Sequence, residues 1–205
     1  MKQIRPYRTV QGAKRALDNG GRFYNLRTKA GDNIVDGVEL ARAAGAYSSD
    51  SIAFLHLEMA LMDLPAEQKA EVRSLLAPDL KRQLEAARPR VLQPSLVASE
   101  GAIGAPAIVT GYPSFVEDRT QLQGFMVMVA PVIMMSPIVD EFDVYEVYDT
   151  PDQTGPRTLV ATVRGSKRLD GLSMRFGGVL KELQFVDKTS RDRGLYLEAI
   201  YYTPL

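Results

Sequence analysis

Apolar positions recur at helical spacing through the first 88 residues and at every second position beyond residue 122, so the change of period divides the chain. Thr9 offers a cap for a short helix through Asp18, which Gly20 and Gly21 stop. A second helix is predicted from about Asp36 to Ala44, ending at Gly45 in the left-handed conformation that closes many helices. Ser49, Asp50 and Ser51 supply cap chemistry for a third, Ile52 to Leu64. Ten of its thirteen residues are apolar and they fall on every side, which predicts the buried centre of this half. Pro65 suits the first turn of a fourth helix, and Pro78 starts a fifth that runs to about Arg88.

Residues 91–122 read as a junction, punctuated by Pro94, Gly101, Gly104, Pro106, Gly111 and Pro113. Within 123–205, Leu159, Ala161 and Val163 alternate with Thr158, Val160, Thr162 and Arg164, and residues 195–202 alternate likewise. The run from Phe125 to Met135 is apolar on both faces, as in a central strand covered on both sides. Gly177 and Gly178 ahead of residues 179–185 mark a bulge or barrel corner. The expected class is therefore α+β: a helical N-terminal half (1–90) packed on an antiparallel β-sheet or small OB-like barrel in the C-terminal half.

Composition narrows the chemistry more than it identifies it. The 205 residues contain no cysteine, no tryptophan and one histidine, His56. That excludes a thiol nucleophile, a cysteine-based zinc or iron–sulfur site and a multi-histidine metal site. His56 lies in the apolar third helix with no partner at helical spacing; Asp63 is seven positions on, about 10 Å along the axis. No Walker A loop, G-x-S-x-G or H-E-x-x-H motif occurs. The expectation leans to a non-enzyme. The longest apolar run, 125–139, is too short and too interrupted by Pro131 and Pro137 to span a bilayer. The absence of cysteine fits a reducing compartment, so the expected location is cytoplasmic. Net charge is zero, but residues 1–90 hold 15 basic against 11 acidic residues and residues 91–205 hold 10 against 14. That asymmetry suggests self-association or an unidentified protein partner.

One segment carries ligand chemistry. Calcium takes six to eight oxygens, and an EF-hand loop presents side-chain oxygens at positions 1, 3, 5, 9 and 12. With Thr28 at position 1, Asp32 falls at 5, Asp36 at 9 and Glu39 at 12, with apolar Val35 at 8 and Asn33 at 6 able to take the left-handed turn. Residues 24–44 thus resemble an EF-hand. Ala30 at position 3 removes one oxygen, Thr28 replaces the usual aspartate, and no second loop is recognisable. The resemblance implies helix–loop–helix geometry more than metal affinity; calcium is the one cofactor it suggests, with Glu39 as the bidentate-capable ligand. The same residues also read as an acidic turn ahead of a helix.

Two segments bear on nucleic-acid binding. Residues 39–45 are similar to the first helix and turn of a helix-turn-helix, yet residues 52–59 offer no side chain to read base edges. The length of the β half resembles an OB-fold, a five-stranded barrel that binds oligonucleotides or oligosaccharides. Arg164, Lys167, Arg168, Arg175 and Lys181 fall among aromatic residues there, as single-stranded nucleic acid requires, while the acidic stretch 140–149 opposes phosphate. The reading favoured by these observations is a non-catalytic binding or scaffolding protein acting through protein–protein contacts, with nucleic-acid binding through the barrel as the alternative.

Overall fold

The computed structural model describes residues 1–20, 29–45, 50–116, 125–128, 135–137, 142–163, 165, 168–169, 171–185 and 194–205. The chain forms two compact units, Ile4–Pro89 and Met1–Gln3 with Arg90–Leu205. The fold class is α+β, with helices mainly N-terminal and strands mainly C-terminal. No helix among the described residues is long and apolar enough to cross a membrane.

The helical unit contains α1 (Val10–Leu17), α2 (Gly37–Ala44), α3 (Asp50–Leu61), α4 (Ala66–Ser74) and α5 (Pro78–Ala86). The Thr9 hydroxyl accepts from the Gly12 N–H at 3.0 Å and starts α1. Asp36 and Glu39 close a reciprocal capping box at the start of α2, and Gly45 ends that helix at φ 67°. Pro78 occupies the first turn of α5, whereas Pro65 lies one residue ahead of α4 as its N-cap. Every residue of α3 from Ala53 to Leu61 is buried, which matches its all-round apolar pattern. Leu17, Leu40, Phe54, Leu57, Leu61 and Leu76 build the core. A short parallel bridge joins Val35 to Leu76: the Val35 N–H donates to Leu75 O at 2.7 Å and the Ala77 N–H to Val35 O at 2.9 Å.

The other unit holds β1 (Lys2–Gln3), β2 (Arg90–Leu92), a 3-10 turn (Pro94–Leu96), α6 (Val97–Glu100), β3 (Pro106–Phe115), β4 (Phe125–Met128), β5 (Met135–Pro137), β6 (Phe142–Tyr148), β7 (Arg157–Val163), β8 (Met174–Phe185) and β9 (Gly194–Pro204). They form one mixed nine-stranded sheet in which β1–β9, β2–β3 and β7–β9 run parallel and the other pairings are antiparallel. Because β9 pairs with both β7 and β8, strands β3, β6, β7, β9 and β8 close into a ring. The long strand β3 serves both sides, meeting β8 along residues 106–111 and β6 along 112–115. Val109, Tyr145, Val147, Val160, Phe176, Leu180 and Leu197 pack into its core. Tyr145 meets Phe115 edge-on at 5.3 Å between ring centroids.

Two local readings change. The stretch read as a junction contains β3, whose glycine and prolines sit inside the ladder: a side chain at Gly111 would strike the Tyr148 carbonyl, with Val147 Cγ1 2.8 Å and Pro94 Cγ 2.9 Å away. The apolar run 125–135 is not one central strand. Met126 pairs with Pro137 and Met128 with Met135, so β4 and β5 are antiparallel neighbours at one end of the strand order. The bulge expected at Gly177–Gly178 is present as a register shift against β9.

Candidate binding cleft and loop

The loop before α2 is organised by backbone amides. Asp18, at the end of α1 and buried, accepts from the Gly31 N–H at 2.6 Å and the Asn33 N–H at 2.9 Å. Asn33 takes the left-handed conformation, φ 66°. Asp32 accepts from the Ile34 N–H at 2.9 Å. Asp36 accepts from Val38 and Glu39, while the buried Glu39 carboxylate accepts from Gly20 and Asp36. Burial holds the Glu39 carboxyl above its ordinary value, and those two N–H groups oppose the shift. Thr28 lies outside the described residues. Among the described residues, no three His, Cys, Asp or Glu side chains are placed to hold a metal ion. Calcium needs six to eight oxygens on one point, whereas the described carboxylates Asp32, Asp36 and Glu39 turn onto separate amides.

A different site opens between α4 and α5. Ala70, Arg73, Ser74, Leu76, Lys81, Leu84, Glu85 and Arg88 line a cleft of about 380 Å³. Leu76 and Leu84 are buried and form its apolar floor. Its wall rests on an ion pair: Glu58, the only carboxylate inside the buried run of α3, receives Arg73 Nε at 2.8 Å and Nη2 at 2.6 Å. Arg88 Nη2 adds a contact at 3.4 Å. A two-pronged guanidinium–carboxylate pair fixes both partners in orientation. Lys81 has no carboxylate partner among the described residues. Volume, apolar floor and a few fixed charges are the properties of a binding cleft.

Of the β-half cations, Arg168 and Lys181 have partners among the described residues. Arg168 stacks over the Phe115 ring at 4.8 Å, and Lys181 pairs with Glu198. Arg164 and Lys167 lie outside the described residues. His56 is buried within α3.

The loop carboxylates stand out in the sequence by their spacing, whereas the cleft does not. One signal was available: a lone glutamate within a helix apolar on all sides must find a buried cation, and Arg73 follows fifteen positions later. The fold and cleft define a two-unit α+β protein with a charged-rim groove on its helical unit. No family model matches the chain, and no curated protein matches its sequence.

Proposed function

We propose that this is a non-catalytic binding protein that engages a protein partner through the cleft between α4 and α5, with the EF-hand-like loop as a structural element. The cleft carries the reading, because it pairs an apolar floor with fixed cationic rims. The loop supports it from below: the Val35–Leu76 bridge ties the loop to the turn that floors the cleft. The test is to fill the groove. Ala70→Trp, at an exposed position on the cleft wall, should abolish cross-linking of a partner to a photoreactive residue at position 74 while leaving the melting temperature unchanged. Cross-linking that persists in the filled variant would remove the cleft from the interaction.

A second reading has one observation in its favour. The closed ring β3–β6–β7–β9–β8, with β7 parallel to β9, supports an OB-like barrel and hence single-stranded nucleic-acid binding. Such binding should appear as fluorescence anisotropy of a labelled oligothymidine and fall steeply with added salt. The commitment of Arg168 and Lys181 to internal partners places it second.

A further inference from the structure

We propose that the α4–α5 groove takes an acidic amphipathic helix of a partner protein, an inference that rests on the protein-binding reading above. The groove is lined by two helical stripes. Ala70, Arg73 and Ser74 come from α4; Lys81, Leu84, Glu85 and Arg88 come from α5 and its end. The second stripe has spacings of three, one and three residues: Lys81, Leu84 and Glu85 lie on α5, and Arg88 follows its C-cap Ala87, so the two cations stand on either side of Leu84 and Glu85 along the chain. A guest helix laid along it meets the floor with residues at i+3 and i+4, and its own i and i+7 positions reach the two ends. Leu76 and Leu84 at the floor call for branched aliphatic side chains there.

The charges select what flanks those side chains. Glu58 is buried and both of its oxygens are taken by Arg73, so it offers nothing to a guest. Lys81 stands at one end without a carboxylate partner among the described residues. Arg88, half exposed, stands at the other and gives Glu58 only a 3.4 Å contact. Glu85 lies between them and bars a carboxylate midway. The guest this pattern fits carries acid at i, aliphatic residues at i+3 and i+4, and acid at i+7. A phosphate backbone, with charge at every step, meets Glu85 and is disfavoured.

The probe is a capped, fluorescein-labelled peptide with the core Glu-Ala-Ala-Leu-Leu-Ala-Ala-Glu, titrated with the full-length protein, beside a version with both glutamates changed to glutamine. Binding of the acidic peptide should weaken about tenfold for the glutamine peptide and about tenfold for Lys81→Glu. A third peptide with lysine at one glutamate position should recover binding to Lys81→Glu. Lys81 has no ion pair among the described residues to lose, and a glutamate there adds only a surface i,i+4 repulsion from Glu85, so this variant should melt close to the wild type. Equal binding of the acidic and glutamine peptides would overturn the proposal. Failure of both peptides, with partner cross-linking still blocked by Ala70→Trp, would overturn the acidic-helix identity alone. Failure of the peptides together with cross-linking insensitive to Ala70→Trp would overturn both readings. A dimer in sedimentation that Lys81→Glu abolishes would put a second copy in the groove and equally overturn the proposal.

Discussion

At the scale of single residues, the helical unit rests on carboxylates that are buried and fully used. Glu58 and Arg73 illustrate the asymmetry of such pairs: forming one gains little over an apolar contact, whereas removing one partner strands a charge. Arg73→Ala is therefore expected to cost about 3 kcal/mol, because Arg88 at 3.4 Å replaces the lost guanidinium only in part. The double variant Glu58→Leu/Arg73→Leu should cost clearly less than Arg73→Ala, and urea denaturation of the set measures the difference. Glu39→Ala acts differently. It removes the acceptor for the Gly20 and Asp36 amides and half of the α2 capping box, for an expected loss of about 2 kcal/mol. Tyr7 adds an alkaline limit. Burial pushes its phenol up to about 12, above the ordinary value of 10.0. Between those two values the unfolded chain ionises while the folded chain keeps its proton, so stability present below pH 10 is lost as pH rises toward 12. That loss amounts to roughly 2–3 kcal/mol at most. Denaturant titrations across this range should show the decline in the wild type and a flatter curve in Tyr7→Phe.

At the scale of elements, glycines decide where strands can lie. A Cβ on Gly178 would run into the Glu198 carbonyl and come within 2.9 Å of Ala199 Cα, in backbone that cannot turn aside. Gly178→Ala is expected to cost about 3 kcal/mol or to break the β8–β9 pairing. Gly104, at φ 79° with open space around it, should lose only about 1 kcal/mol as alanine. Thermal melts of the two variants separate close approach from backbone preference. The same contrast explains what could be read from the chain alone. The capping of α1 by Thr9, the Asp36 start and Gly45 end of α2 and the burial of α3 were all legible, because cap chemistry and apolar spacing act within a few residues. Strand β3 was not, since Pro106, Gly111 and Pro113 are turn signals in isolation and become ladder residues only beside β6 and β8. The doubling back of β4 onto β5 was hidden by an apolar pattern that is the same for one strand or two. Of the candidate sites, the loop carboxylates announced themselves by spacing. The cleft joins Arg73 of α4 to Lys81 and Arg88 across a helix turn, a neighbourhood that only folding creates.

At the scale of the whole molecule, the question is whether the charge asymmetry of the two halves drives copies together. Formal charge suggests it, with a basic excess before residue 91 and an acidic excess after. The acidic stretch is not available as a block, however. Asp143 accepts from the Gly165 N–H at 2.8 Å, and Glu146 is paired with Arg157 at 2.7 Å. Asp149 accepts from the Ser95 N–H at 3.3 Å. Asp152 is held by the Thr150 and Thr154 hydroxyls, which lower its carboxyl below the ordinary value. Each described carboxylate of this stretch therefore already has a local partner, and a second molecule's cations would have to displace it for a surface ion pair worth about 0–1 kcal/mol. On the basic side, Arg42 donates to the Asn19 carbonyl and side chain, and Lys14 to Asn33. Attraction between solvated charges this dispersed is also screened beyond about 8 Å at physiological salt. The chain is therefore expected to stay monomeric from low to high ionic strength. Light scattering coupled to gel filtration checks this: one mass at every salt concentration fits local charge pairing, whereas a mass that doubles only at low salt would show the two halves recognising each other between copies.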